Sequence, residues 1–550
     1  MIAIDKITDA CVEQGLFTQE VLISHKIQAR RERKDLLHCL AFAVRMPITT
    51  FYQAYATTQG IPFCSVQDLI PDIQALRRIP RALLDRRPML PIQSEEGALS
   101  QTPRLVMSDP DHQLSYEQAQ NSLGQSCEIC ISEPTELDHA LSQARTELGI
   151  ATDAGGSYDP IQELHNIIEQ AYLCRSSDIH IQPSKEKVQI RLRIDGVLQY
   201  HFRSYSLEQG LGLMSRIKVI SGMDISEQRM AQDGNASYEI NEDIGIDLRV
   251  ATMPTRFGER ATLRLLGSDT EALTLSQIGM SDNDLDRFQQ AISQPHGMIL
   301  ITGPTGSGKS TSLYSALKDI ASADTNILTV EDPVEYVMEG ISQVQVSNKV
   351  SFSDALRAFL RHDPDVIMLG EIRDGETANT AMKAAMTGHL VFSTLHTNSS
   401  LAAVSRLRDL GAAAYLIGAT LLAVISQRLV KRLCNHCKIK RPANLVEIGL
   451  LAANDSLMVF DPNGCPHCRN TGYSGRVALF ETLWIDKKLS GLISDDVSEA
   501  TLKENSEGFN SLSDDGIRKV IQGITTLDEL KRLAILDQEQ PLMNNALRSA

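Results

Sequence analysis

The stretch Met298-Ile-Leu-Ile-Thr302 runs directly into Gly303-Pro-Thr-Gly-Ser-Gly-Lys309-Ser310. An apolar strand, a glycine turn and a helix-compatible run from Lys309 to Leu317 supply the setting that the G-x-x-x-x-G-K-[ST] phosphate loop requires. Gly303, Pro304, Thr305, Gly306, Ser307 and Gly308 can curl so that successive N–H groups converge. Lys309, Ser310 and Thr311 then open a helix whose positive end faces the same point. Lys309 is placed to reach β- and γ-phosphates of ATP, and Ser310 to offer its hydroxyl to Mg²⁺. The bland alternative is a glycine-rich turn that binds nothing. With every fixed position filled in its proper context, we read a nucleotide site.

Around this loop the chain reads as α/β. Strands are predicted near 298–302, 326–330, 365–369 and 390–394, alternating with helical segments as a parallel sheet demands. Side chains at the C-terminal ends of such strands line the ligand crevice. Asp365-Val-Ile-Met-Leu-Gly370 delivers Glu371, and Asn326-Ile-Leu-Thr-Val330 delivers Glu331 and Asp332. The strand Leu390–Thr394 is framed by His389 and His396. An acid at such an edge can hold the metal shell or polarise water, so Glu331 and Glu371 are both candidates for water activation. The two histidines are candidates for sensing the γ-phosphate.

At 550 residues the chain exceeds one core, so several domains are expected. We divide it into an N-terminal docking or regulatory α/β domain (1–130), a linker (131–157), an α+β middle domain (158–266), a RecA-like core (267–400) and a C-terminal helical subdomain (401–550). The net charge of −16 argues against a protein that coats nucleic acid, despite basic stretches at Lys26–Lys34 and Arg77–Arg87. Met1-Ile-Ala-Ile-Asp5-Lys6 lacks the apolar core of a signal peptide, and a cytoplasmic location is expected. The uncharged run Leu410–Gln427 is read as a buried helix.

Cys434-Asn-His-Cys437 and Cys465-Pro-His-Cys468 form CxxC…CxxC with 27 residues between the pairs. Four thiolates in two knuckles suit one tetrahedral Zn²⁺, whereas a redox role needs a single CxxC. His436 and His467 are competing ligands, but the paired spacing favours Cys434, Cys437, Cys465 and Cys468.

Several motifs in order carry a family resemblance. Glu331-Asp-Pro-Val-Glu335, Arg361-His-Asp-Pro-Asp365 with Gly370-Glu-Ile-Arg373, and Thr387-Gly-His-Leu390 with Ser393-Thr-Leu-His-Thr-Asn398 resemble an Asp box, a Walker B and a His box. They are those of the secretion ATPases of type II secretion and type IV pilus assembly (GspE/PilB-like). The resemblance implies a homo-hexameric ATPase, peripheral to the inner membrane through partners, that drives a platform protein to add pilin or pseudopilin subunits. It also implies that arginines of the middle domain reach a nucleotide; Arg191, Arg193, Arg216 and Arg249 are available, and we single out Arg193 and Arg216. Ser176-Ser-Asp-Ile-His-Ile-Gln182-Pro resembles the entry to that domain, with Gln182 where an acid is usual. The cysteine insert and the long N-terminal region favour extension or secretion over retraction. Some relatives bind cyclic di-GMP through an Arg-Leu-Gly opening. Here Lys6-Ile-Thr-Asp-Ala10 lacks the arginine, so docking to a platform or ring protein is expected there instead. The alternatives are a hexameric nucleic-acid translocase and a scaffold that binds ATP without hydrolysing it.

Overall fold

The computed structural model describes residues 2–65, 68–93, 103–148, 158–266, 273–347, 349–451 and 456–535. The chain divides into two compact units: Met1–Ser268, to which the short turn Cys465–Asn470 also counts, and the remainder.

The first unit opens with four helices, α1 (Ile4–Glu13), α2 (Gln19–Glu32), α3 (Leu36–Val44) and α4 (Ile48–Gln59). Asp35 starts α3 by accepting the His38 N–H at 2.9 Å, one of the amides a helix cannot satisfy internally. Ile7, Leu22, Leu40 and Phe51 close this bundle. A three-stranded sheet follows, of β1 (Met89–Ile92), β2 (Arg104–Met107) and β3 (Glu128–Ile131), with α5 (Gln113–Leu123) and α6 (Pro134–Glu147). Helix α6 occupies most of the stretch read as a linker. Its polar composition misleads because its buried apolar residues form one stripe, Leu137, Leu141 and Ala144, at the i, i+4, i+7 spacing of a helix face. Residues 149–157 of that linker lie outside the described residues.

The middle region packs α7 (Pro160–Leu173) and α8 (Leu207–Ile220) on one face of a six-stranded sheet. Its strands are β4 (Ser176–Pro183), β5 (Val188–Ile194), β6 (Val197–Tyr205), β7 (Gln232–Glu239), β8 (Gly245–Thr255) and β9 (Gly258–Leu266), in the order β6-β5-β4-β9-β8-β7. An Asp195-Gly196 turn joins β5 to β6 with φ of 49° and 83°, the left-handed pair that a tight hairpin needs. Ile190, Leu192, Leu248 and Leu263 face the helices. By alternation Arg191, Arg193, Arg249, Arg260 and Arg264 fall on the opposite face. Asp178 stands among them, 3.0 Å from Arg264 and 3.8 Å from Arg193. Gln182, where an acid was expected, accepts from Arg191 at 2.6 Å.

The second unit contains α9 (Asp282–Ile292), β10 (Gly297–Thr302), α10 (Lys309–Ile320), β11 (Ile327–Glu331), β12 (Ser342–Gln345), α11 (Phe352–Phe359), β13 (Val366–Leu369), α12 (Gly375–Met386) and β14 (Leu390–Leu395). Beyond these come α13 (Ser400–Asp409), α14 (Ala414–Thr420), β15 (Leu421–Leu433), β16 (Ile439–Pro442), β17 (Met458–Asp461) and β18 (Tyr473–Trp484). Seven strands form one sheet, ordered β12-β11-β13-β14-β10-β15-β18, parallel except for β18. All six residues of β10 are buried, as expected of a strand covered on both faces. Leu410–Gln427 is thus a short helix and then a strand rather than one buried helix. A central strand reads as an unbroken apolar run, which periodicity cannot separate from a buried helix. The region from 401 onward is not purely helical either, because β15 and β18 complete the sheet of the phosphate loop.

One buried acid gives the first unit a pH dependence. Glu136 on α6 is 8% exposed, accepts from Thr49 Oγ1 at 3.1 Å, and has an Oε2 with no partner. Burial, reinforced by Glu133, pushes its carboxyl up to about 8. The folded form therefore holds a proton that the unfolded chain has released, and stability falls as pH rises from 4.5, the ordinary carboxyl value, to about 8. Glu136→Gln should remove this slope, at most about 1.4 kcal/mol per pH unit. Thermal melts at pH 5.5 and pH 8 should show the variant gaining on the wild type at the higher pH.

Candidate active site and metal centre

The loop after β10 is built by three glycines with positive φ, 149° at Gly303, 76° at Gly306 and 87° at Gly308. Gly308 caps α10, so Lys309 and Ser310 begin the helix. The loop borders a cleft of about 430 Å³ whose other walls include Tyr314, Glu331, Asp332, Glu335, Glu371, His396, Leu429 and Arg476. Lys309 Nζ donates to the Gly303 carbonyl at 2.8 Å and the Pro304 carbonyl at 3.0 Å. Burial lowers its pKa, while Glu371 and Glu335 pull the other way. The Ser307 hydroxyl is buried in the loop with no partner. A folded-back lysine and an orphaned hydroxyl suit a cradle that receives an anion.

The acids differ in how far they are already engaged. Glu331 is buried, and both its oxygens are taken: Thr329 Oγ1 donates at 2.7 Å and Gln343 Nε2 at 3.1 Å to one, and the Tyr314 hydroxyl to the other. Glu371 also meets three donors, Arg373 Nη2 on Oε1 among them, but its side chain is partly exposed. Arg373 donates Nε at 2.7 Å to its Oε1, and His396 Nε2 lies 3.1 Å from its Oε2. Arg373 also reaches Asp332 at 3.0 Å. Glu335 accepts the Ser310 hydroxyl at 3.2 Å, beside the position expected for Mg²⁺.

The two histidines do not come together. His396 leaves the C-terminal end of β14 at the cleft. His389 precedes the strand at its opposite end, its Nδ1 2.9 Å from the Ala384 carbonyl. Arg193 belongs to the arginine-bearing face of the middle sheet, and Arg216 to α8 on the other face. Two residues of the cleft escaped sequence reading. Glu335 lay inside a quoted motif, and its spacing of four from Glu331 was the available signal. Arg476 had none, because it arrives through the long-range register Lys431↔Arg476 between β15 and β18.

The four cysteine sulfurs lie within 4.8 Å of one another. Zn–S bonds of about 2.3 Å place tetrahedral sulfurs about 3.8 Å apart, and Cys465 and Cys468 are separated by 3.8 Å. The backbone N–H of Gly464 points at Cys437 Sγ (3.3 Å) and that of Cys465 at Cys468 Sγ (3.2 Å), donors suited to thiolates. His467 directs Nε2 to the Gln14 carbonyl, at 2.7 Å, so it is engaged away from the sulfurs. The donor set fits a closed Zn²⁺ site.

Comparison with known proteins places this geometry. Residues 156–532 match the type II/IV secretion system protein family. The chain belongs to that family. Residues 59–149 also match the MshEN domain. The chain is 38% identical over 514 residues to the type IV pilus assembly ATPase PilB of Thermus thermophilus, covering 87% of this chain and 56% of that one. It is 42% identical over 433 residues to the type II secretion system protein E of Aeromonas hydrophila, covering 78% and 86%. The DotB ATPase of Legionella pneumophila has the same fold, with a TM-score of 0.52 at 24% identity over 70% of this chain and 97% of that chain. The RecA-like architecture expected from the sequence is therefore present, and the enzyme class this family assigns is ATP hydrolase.

In this secretion-family cleft Tyr314 is the strut. Its hydroxyl donates to Glu331 and accepts the N–H groups of Glu335 (3.3 Å) and Tyr336 (3.4 Å). Tyr314→Phe should cost about 1–3 kcal/mol by leaving a buried carboxylate short of a donor. Hydrogen exchange should show faster amides at Glu335 and Tyr336, with α10 unchanged.

Proposed function

We propose that the chain is a hexameric cytoplasmic motor that couples ATP hydrolysis to assembly of a type IV pilus or type II secretion pseudopilus through an inner-membrane platform protein. One arrangement carries this reading: β11, β13 and β14 bring Glu335, Glu371 and His396 to the edge where Lys309 and Ser310 begin α10. Lys309 exchanges its two carbonyl partners for phosphate oxygens, and in a partly desolvated cleft that pairing is stronger than in water. Ser310 and Glu335 would hold Mg²⁺, which would supply positive charge against the phosphates. Glu371 orients the attacking water and takes its proton. Its oxygens are steadied by Arg373 and His396 while the side chain stays partly exposed to the cleft, whereas Glu331 is buried and serves to shape the wall.

The arginine-bearing face of the middle sheet supports hydrolysis that depends on assembly, since an arginine from a second copy can stabilise the transferring phosphoryl group. Attachment to the inner membrane then runs through partners; among the described residues no helix is long and apolar enough to cross a membrane. The match of residues 59–149 to the MshEN domain supports a regulatory role for the N-terminal region, with a docking protein as the expected ligand and a cyclic dinucleotide as the alternative.

Glu371→Gln should lower turnover at least about a hundredfold with MgADP affinity unchanged, and single-stranded DNA should not stimulate the wild type. Wild-type turnover in Glu371→Gln would overturn the assignment, and strong stimulation by DNA would favour a translocase. For the cysteines we propose structural Zn²⁺. One equivalent should co-purify, and chelation should expose the 430–480 region to protease while the rest of the chain resists.

A further inference from the structure

The phosphate loop leans on β15, a strand to which no acid, base or phosphate ligand has been assigned. Thr302, the last residue of β10, stands opposite Ser426. Gln427 therefore flanks Gly303, where the chain leaves the sheet and bends. Alternation puts Gln427 on the face of Ala423 and Ile425, which pack with Leu313, Ala316 and Leu317 of α10. It is the polar end of an apolar row, and it is 2% exposed.

Its contacts reach both ends of the loop. Oε1 accepts the Ser312 hydroxyl at 2.9 Å, in the first turn of α10. Nε2 lies 2.8 Å from where a Cβ on Gly308 would stand, and the backbone oxygen 2.5 Å from where one on Gly303 would stand. The strand end is fixed in turn, because Arg428 donates to the Gln427 carbonyl at 3.0 Å and to Asn398 O and Oδ1 at 3.1 and 3.2 Å. Filling this space needs no amide. An apolar side chain would pack there without the cost of burying polar atoms.

We infer that Gln427 is a positioning residue for nucleotide binding: it holds Gly303, Gly308 and the start of α10 at the curvature that lets the loop amides converge on phosphate, and it takes no part in bond breaking. The inference rests on the loop being the nucleotide site. The test is steady-state kinetics and MgADP titration of the full chain carrying Gln427→Met, Ser312→Ala or both. Gln427→Met should raise KM for ATP and the Kd for MgADP about tenfold with kcat within about threefold. Ser312→Ala should shift both in the same direction by less, and the double variant should be no worse than Gln427→Met alone. A residue that only held the fold together would lower the folded fraction, and so kcat and melting temperature, while leaving KM untouched. Unchanged KM in folded variants overturns the inference; if Gln427→Met does not fold, Ser312→Ala decides on the same criterion. Lys309→Ala separates the two layers. Retained MgADP affinity there would sink the nucleotide reading itself, whereas its loss beside a normal KM in the Gln427 and Ser312 variants sinks only the positioning role.

Discussion

The close approach at the end of β10 governs the rest of the catalytic unit. β10 is flanked by β14 and β15, parallel to both, and buried on each face. A chain leaving such a strand cannot spread sideways. It must turn upward over the sheet edge, and only glycine tolerates both the φ of 149° at 303 and the neighbouring carbonyl. Thr302 fixes the departure point, with its hydroxyl within 3.1 Å of the Leu395 and Thr397 carbonyls at the exit of β14. The loop that would meet phosphate and the loop that carries His396 are thereby tied to one another before any ligand arrives.

The same edge shows how three glutamates of one chemistry acquire different capacities. Glu331 is buried among three protein donors, away from solvent that could supply a water. Glu335 sits on a loop anchored through the Tyr314 hydroxyl and already touches the hydroxyl that a magnesium ion would claim. Glu371 is held by a guanidinium and an imidazole that also restrain its rotation. The acids differ in burial and in the groups around them, which strand position alone does not reveal.

That limit separates what was legible from what was not. The phosphate loop, the strand-end acids and the cysteine pairs are local spacings, and they read directly. β15 was opaque since a central strand and a buried helix share an apolar run, and α6 was opaque since its buried stripe is sparse. His389 and His396 looked equivalent in sequence; only the direction of β14 assigns them to opposite ends. Arg476 and Gln427 depend on pairing between strands far apart in the chain, and no local window contains that information.

That pairing also links the metal centre to the cleft. β15 ends at Leu433 and Cys434 follows at once; after the second cysteine pair the chain returns as β18, with the Cys434 N–H donating to the Gly472 carbonyl at 2.9 Å. The cysteines thus stand at the base of the excursion between two antiparallel strands. A metal clasped there shortens the effective loop and opposes slippage of the β15–β18 register. A one-residue slip of β18 would turn Arg476 away from the cleft, whereas Gln427 stays fixed by the pairing of β15 with β10. The same two strands that close the knuckle therefore set the floor of the nucleotide site.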